Sequence, residues 1–154
     1  MSRITDDIVA LGCLQARYAD VVTRRAFAEL VDLFRPDAAV TIDTVTRPEQ
    51  RIVGPDDFGE FVAAAIKRYD HFTFVILNAV LDVEDDEATG RMFMCEIRHD
   101  RASHSWQNAY GVYQDGYVRV DGRWWFAARR YRSLARTGPG GEILGLPPPA
   151  WFSA

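Results

Sequence analysis

The chain is 154 residues long, 26% charged and 48% apolar, with a formal net charge of −4. That length suits one domain able to bury about 70% of its unfolded surface without staples. The negative balance excludes the basic footprint of a nucleic-acid binder, and charges interrupt every apolar stretch before the roughly 18 residues of a membrane span, so neither partner is expected. MSRITDDIVALGCLQARYAD carries no signal-peptide pattern, and the expected location is cytoplasmic. Cys13 and Cys95 make neither a disulfide framework nor a zinc-ligand spacing; both read as reduced core residues.

In chain order, Ile8, Leu11, Leu14, Tyr18 and Val22 recur at spacings of three and four, which predicts an amphipathic helix from Ile4 to Val22 with Thr5 as its N-cap. A second, shorter helix is predicted over Ala26 to Phe34, with Phe27, Leu30, Val31 and Phe34 on one side and Pro36 helping to end it. AAVTIDTV predicts a strand, and TRPEQRIVG a turn and return. Gly54-Pro55-Asp56-Asp57 then opens a third helix, in which Phe58, Phe61, Val62, Ala65 and Ile66 share a face, ending near Tyr69.

After Asp70 the pattern changes. HFTFVILNAVLDV, EATGRMFMCEIRHD, SWQNAYGVYQDGYVRV and RWWFAARRYRSLAR are rich in aromatic and β-branched residues, with turn signals at Glu84-Asp85-Asp86 and Asp121-Gly122. Four successive long strands imply an antiparallel meander. Residues 1–136 therefore make the domain, and residues 137–154, TGPGGEILGLPPPAWFSA, an extended Gly/Pro-rich tail whose Ile143, Leu144, Trp151 and Phe152 need a surface to pack on. The class is α+β: helices must cover one face of a curved antiparallel sheet, and a pocket between the two layers is where a small ligand would bind.

The densest polar stretch is MCEIRHDRASHSW, residues 94–106. On a strand, Glu96, Arg98 and Asp100 share a face with Met92 and Met94, whereas His99 goes to the other face with Phe93, Cys95 and Ile97. Turned to the pocket, Arg98 between two carboxylates would be a charge network able to orient a ligand or a water. Turned outward, it would be a surface patch or dimer contact worth about 0–1 kcal/mol per pair. A metal site from His99, Asp100 and His104 is disfavoured because the first two point apart, and no metal or cofactor is expected. Asn108 shares a face with Trp106 and Tyr110 and would offer its amide to a ligand. Trp106, Tyr110, Tyr113, Trp124, Trp125 and Tyr131 are too many all to line a pocket, and most belong to core or interface. Arg129, Arg130 and Arg132 are expected to pair with nearby acids.

Three pieces of the chain, LQARYADVVTRRAFAELVDLFRPDAAV, NAVLDVEDDEATG and GVYQDGYVRVDGRWWFAARR, resemble the SnoaL-like branch of the nuclear transport factor 2-like superfamily. The resemblance spans roughly residues 8–132 and implies a cystatin-like cone, its curved antiparallel sheet wrapped around three N-terminal helices. Similar chains include dehydratases, ketosteroid isomerases, epoxide hydrolases, polyketide cyclases and non-catalytic binding proteins, so the fold alone does not name an activity.

The resemblance also places individual residues. Tyr18 falls where ketosteroid isomerases carry an oxyanion-hole tyrosine, while their aspartate base falls at Ile42, one residue before Asp43. The histidine of scytalone dehydratase and many SnoaL-like chains lies close to His71; counting back from Asn78 puts it at Phe74, and counting from Gly90 at Thr73. That dehydratase's second histidine falls near Arg98 or His99, and its late-helix tyrosine and aspartate at Val22 and Thr23. Arg98-His99-Asp100 resembles the Arg-x-Asp element of limonene epoxide hydrolase, whose second aspartate falls at Arg130, leaving Glu96 or Asp43 as substitutes.

The expected function is a small-molecule pocket protein, a lyase, isomerase or hydrolase working by acid-base chemistry on a hydrophobic cyclic substrate. Tyr18, His71, Arg98 and Asp100 are the expected catalytic group, and Phe74, Trp106, Asn108 and Tyr110 the expected ligand contacts. The alternative is a non-catalytic ligand-binding or accessory dimer. A homodimer through the sheet is the expected assembly.

Overall fold

The computed structural model describes residues 2–153. Helix α1, Arg3–Thr23, is capped by Ser2, whose hydroxyl accepts from the Thr5 amide at 3.3 Å, so the helix starts earlier than its apolar stripe suggests. It buries Leu11, Leu14, Gln15, Tyr18, Val21 and Val22. Cys13 lies on the outer side of this helix and is exposed, which corrects its core assignment; Cys95 is buried.

The second predicted helix is only a 3₁₀ turn, Phe27–Asp32, because the sheet claims the residues beyond it. The Phe126 amide donates to the Leu33 carbonyl at 2.9 Å, and Phe34 stacks on Phe126 with ring centroids 4.7 Å apart. Strand β1, Phe34–Asp43, therefore begins where the helix was expected to end, and β2, Gln50–Val53, returns antiparallel to it. Gly54, at φ 89°, turns the chain into α2, Pro55–Ile66, with proline in the first turn.

Helix α2 stops at Ile66 because Tyr69 already opens β3, Tyr69–Glu84. Strands β4, Glu87–Asp100, β6, Ala109–Val120, and β7, Arg123–Arg136, complete the meander, and β5, Ser105–Trp106, is a short addition to β4. Asp121 and Gly122 both take positive φ, as a two-residue hairpin turn of matching twist requires. The order across the sheet is β2-β1-β7-β6-β4-β3, and β1 pairs with β7 in parallel. The curved sheet is thus mixed rather than wholly antiparallel. Helix α2 carries the chain to the far edge before the meander starts, so no hairpin fixes the direction of β7 against β1.

Helices α1 and α2 cover the concave face, and side-chain alternation supplies the core: Met92 and Met94 from β4, Tyr113 and Tyr117 from β6, Trp124 and Phe126 from β7. Tyr18 sits at its centre, its ring 5.3–6.4 Å from those of Phe34, Phe58, Phe74, Tyr113 and Phe126. Below it lies a buried ion pair. Arg129 donates to both oxygens of Asp115, at 2.7 and 3.0 Å, and its guanidinium lies 3.9 Å from the ring centre of Tyr113 and 4.3 Å from that of Tyr18. The Tyr117 hydroxyl donates to Asp115 at 3.0 Å and accepts from Gln15 at 2.9 Å, tying α1 to the sheet.

The tail is less extended than its composition suggests. Glu142–Ile143 forms β8 against β7, and Pro149–Ser153 a 3₁₀ turn. Trp151 stacks on Arg130 and Phe152 on Arg91, on the convex face, whereas Ile143 is exposed.

Removing one partner of a fully buried, bidentate pair strands the other charge in the core. Asp115→Ala is expected to destabilise the fold by about 3–5 kcal/mol in denaturant titration.

Candidate functional site

One cavity opens between the helix layer and the concave face, with a volume of about 160 Å³. Its deep end is aromatic and aliphatic: Tyr18 and Val22 from α1, Phe58 and Ile66 from α2, Phe74 from β3 and Tyr113 from β6. These are buried residues, whereas Thr44, Phe61, Val62, Arg98 and Arg136 at the other end are partly exposed and form the mouth.

Strand register sets the polar groups out in rows. Met92, Tyr113 and Tyr131 are neighbours across β4, β6 and β7; Met94, Gly111 and Ser133 form the next row; Glu96, Ala109 and Arg136 the next. Arg98 follows Glu96 two residues on, on the same face. Gly111 is required where it stands, because a Cβ there would lie 2.2 Å from the Tyr131 ring. Tyr131 therefore lies down over Gly111, and its hydroxyl accepts from Ser133 at 3.1 Å.

Glu96 is the carboxylate of this cavity. Its side chain keeps only about a fifth of its surface, and its one ionic partner among the described residues, Arg98, is 3.4 Å away. Desolvation holds its carboxyl above the usual carboxylate range, against the opposing pull of Arg98's charge and hydrogen bond. Arg98 is steadied by donating from Nε to the Gln107 carbonyl at 2.6 Å and by lying 4.9 Å from the Tyr69 ring centre. Burial also raises the Tyr18 phenol, opposed by the charge of Arg129 and a hydrogen bond with Tyr113, so Tyr18 is a neutral hydroxyl donor at ordinary pH. Burial, and after it the charge of Glu96, also raises the Tyr131 phenol.

Among the residues expected from sequence, Tyr18, Phe74 and Arg98 line the cavity. Asp100 does not, although it shares the parity of Arg98. It is at the strand end, where it accepts from the amides of Ala102 and Ser103 and from Arg68 Nε at 2.6 Å; the Ser103 amide and Arg68 hold its carboxyl at about 2. That is a turn cap and salt bridge. His71 lies outside as well: a bulge after Tyr69 turns it to the convex side, where it bonds Thr73 at 3.0 Å and meets the Trp106 ring. Trp106 is over half exposed there, Tyr110 stands opposite Cys95 on the same face, and Asn108 is tied to Thr137 of the tail. Strand parity removes Trp106 and Tyr110 from the cavity, and Asn108, in the segment between β5 and β6, does not line it.

The other positions of interest divide in the same way. Ile42 lines the cavity while Asp43 turns away to Arg132, at 2.7 Å. Val22 is in the wall, and Thr23 accepts from the Phe74 amide at 3.0 Å. Among the described residues no three of His, Cys, Asp or Glu come together to hold a metal ion. Sequence reasoning missed Arg136, Ser133 and Thr44: a bulge between Tyr110 and Gly111 shifts the register that sets Arg136 in one cross-strand row with Glu96, across Ala109, and no local pattern announces it.

A model of the SnoaL-like domain family matches residues 3–130. The chain belongs to that family. No curated protein gives a significant match. Among solved structures, a candidate scytalone dehydratase of Novosphingobium aromaticivorans is similar with a TM-score of 0.78 and 22% identity, over 94% of this chain and 97% of that one. A hexachlorocyclohexane dehydrochlorinase, LinA-type3, of Novosphingobium barchaimii gives 0.77 and 21%, over 94% and 97%. An NTF2-like protein with a cystatin-like fold, from N. aromaticivorans, gives 0.70 and 18%, over 86% and 84%. The SnoaL-like chain thus has the cystatin-like cone, and no described helix is long and apolar enough to cross a membrane.

A carboxyl whose folded value is raised keeps its proton in the fold at pH values where the unfolded chain has lost it. Glu96 therefore contributes stability below the ordinary carboxylate range, and that contribution is lost as pH rises to its elevated value. The stability of the natural chain should fall across that window relative to Glu96→Gln, as measured by denaturant titration at stepped pH.

Proposed function

We propose that this SnoaL-like protein is an acid-base enzyme of the lyase or isomerase type, acting on a hydrophobic cyclic small molecule. The observation that carries the reading is a desolvated, loosely paired Glu96 lining an apolar cavity with the Tyr18 hydroxyl. A carboxylate whose affinity for a proton is raised by burial is suited to taking a proton from carbon and returning it. Glu96 would accept the proton while Tyr18 donates a hydrogen bond to the oxygen on which negative charge develops, and Arg98 holds Glu96 in place. In an isomerisation the proton returns to another carbon; in an elimination the electron pair of the broken C–H bond expels a leaving group.

Proton transfer thus passes from His71 and Asp100 to Glu96, with Tyr18 and Arg98 retained. Support also comes from the similar structures, whose described activities are dehydration and dehydrochlorination. Thr23 and Phe74, where the dehydratase comparison calls for an aspartate and a histidine, carry no acid-base group, so the route here is its own. Homodimerisation through the convex face, where Val80 and Trp106 are exposed, and a cytoplasmic location belong to the same proposal.

The test is exchange of ring C–H for deuterium in cyclic ketones, followed by NMR in heavy water. The natural chain should catalyse it, with Glu96→Gln reducing the rate by about 100-fold or more and Tyr18→Phe by about 10-fold or more. An unchanged rate in Glu96→Gln would contradict the assignment.

A further inference from the structure

Two features of the cavity bear on the kind of molecule that enters it: its size and its charge. The volume of about 160 Å³ is close to the roughly 150 Å³ of an engineered apolar cavity that holds one benzene. One six-membered ring with small substituents fills such a space. A fused four-ring skeleton does not.

The deep end offers that ring an all-apolar seat, with Phe58, Phe74 and the Tyr18 ring around it. The mouth is different. Arg98 and Arg136 both line it, and among the described residues Glu96 is the only acidic one in the lining. The Arg98 to Glu96 contact is 3.4 Å, well beyond the 2.7–2.9 Å of a close charge-assisted bond, and burial favours the neutral carboxyl. The described residues that line the cavity therefore carry more positive than negative charge whichever form Glu96 takes, Glu142 meeting Arg136 from outside the lining.

The two guanidiniums also have donors to spare. Arg98 uses Nε on the Gln107 carbonyl and Nη1 on Glu96, and among the described residues its Nη2 has no partner. Arg136 uses Nη2 on the Thr44 carbonyl and the Ser133 hydroxyl and Nη1 on Glu142 of the tail, and among the described residues its Nε likewise has none. The Glu142 contact is at 3.2 Å between partly exposed groups, weak enough for a ligand to replace.

Resting on the reading of this cavity as the small-molecule site, we infer that its ligand is a single-ring carboxylic acid. The ring occupies the aromatic deep end, and the carboxylate lies at the mouth against Arg98 and Arg136. The apolar end and the paired cations divide the ligand between them, which fixes the ring beside Glu96 for proton transfer.

Titration calorimetry with cyclohexanecarboxylate and benzoate, against cyclohexanemethanol and benzyl alcohol, tests this, with cholate as a four-ring acid. The single-ring acids should bind roughly tenfold tighter than the matching alcohols, with the advantage shrinking at high salt, and tighter than cholate. Arg136→Gln should abolish the advantage without changing alcohol binding, and Arg136→Lys should retain part of it. Alcohols binding as tightly as acids would overturn the carboxylate assignment while leaving the cavity as the ligand site. Tighter binding of cholate would overturn the single ring. If no ring compound binds, the cavity is not the ligand site and both readings fall. Should Arg136→Gln fail to fold, the acid and alcohol comparison on the natural chain decides by itself.

Discussion

Polar groups on the concave face of this sheet have to be satisfied inside the protein, because the helix layer shuts that face away from water. The chain meets the constraint twice with the same chemistry and two geometries. Deep in the core, Arg129 and Asp115 make a bidentate pair with no exposed surface, sealed by Tyr117 and Gln15. Nearer the mouth, Glu96 and Arg98 face one another at 3.4 Å beside an apolar cavity. The first pair is bidentate and, through Tyr117 and Gln15, holds α1 on the sheet; Arg129 Nη1 has no hydrogen-bond partner among the described residues, and the guanidinium lies against the Tyr18 and Tyr113 rings. The second is looser, and that looseness is what the proposed function rests on.

Tyr18 connects the two. Its ring packs among five aromatic neighbours and against the Arg129 guanidinium, so its position is fixed by the core. Tyr18 is nonetheless part of the cavity wall. A donor held this rigidly needs no rearrangement when charge develops on a bound oxygen, which is the condition under which such donors are most effective. In the proposed reaction the core tyrosine is also the donor, and its packing is the source of the preorganisation.

Much of this was legible in the chain. Period-two alternation set Met92, Met94, Glu96 and Arg98 on one face, and the structure puts that face against the helices. The meander, the α1 stripe and the shared face of Phe58, Phe61, Val62 and Ile66 were readable for the same reason: burial imposes periodicity. What periodicity could not supply was everything decided at strand ends and bulges. Asp100 has the right parity and is lost to a turn; His71 is turned outward by a bulge; Arg136 is brought into the cross-strand row of Glu96 by another. The helix predicted through Phe34 was shortened by a contact with Phe126, far along the chain. Long-range register leaves no local mark, and the site depends on it.

In the proposed complex one cavity holds both the ring and the proton-transfer group, with Glu96 facing inward. The most direct measurement is a crystal structure of the protein with cyclohexanecarboxylate. The account predicts the ring against Tyr18, Phe58 and Phe74, the carboxylate within hydrogen-bonding distance of Arg98 and Arg136, and the Glu96 carboxyl beside the ring. The acid bound on the convex face, or Glu96 swung out to solvent in the complex, would contradict it.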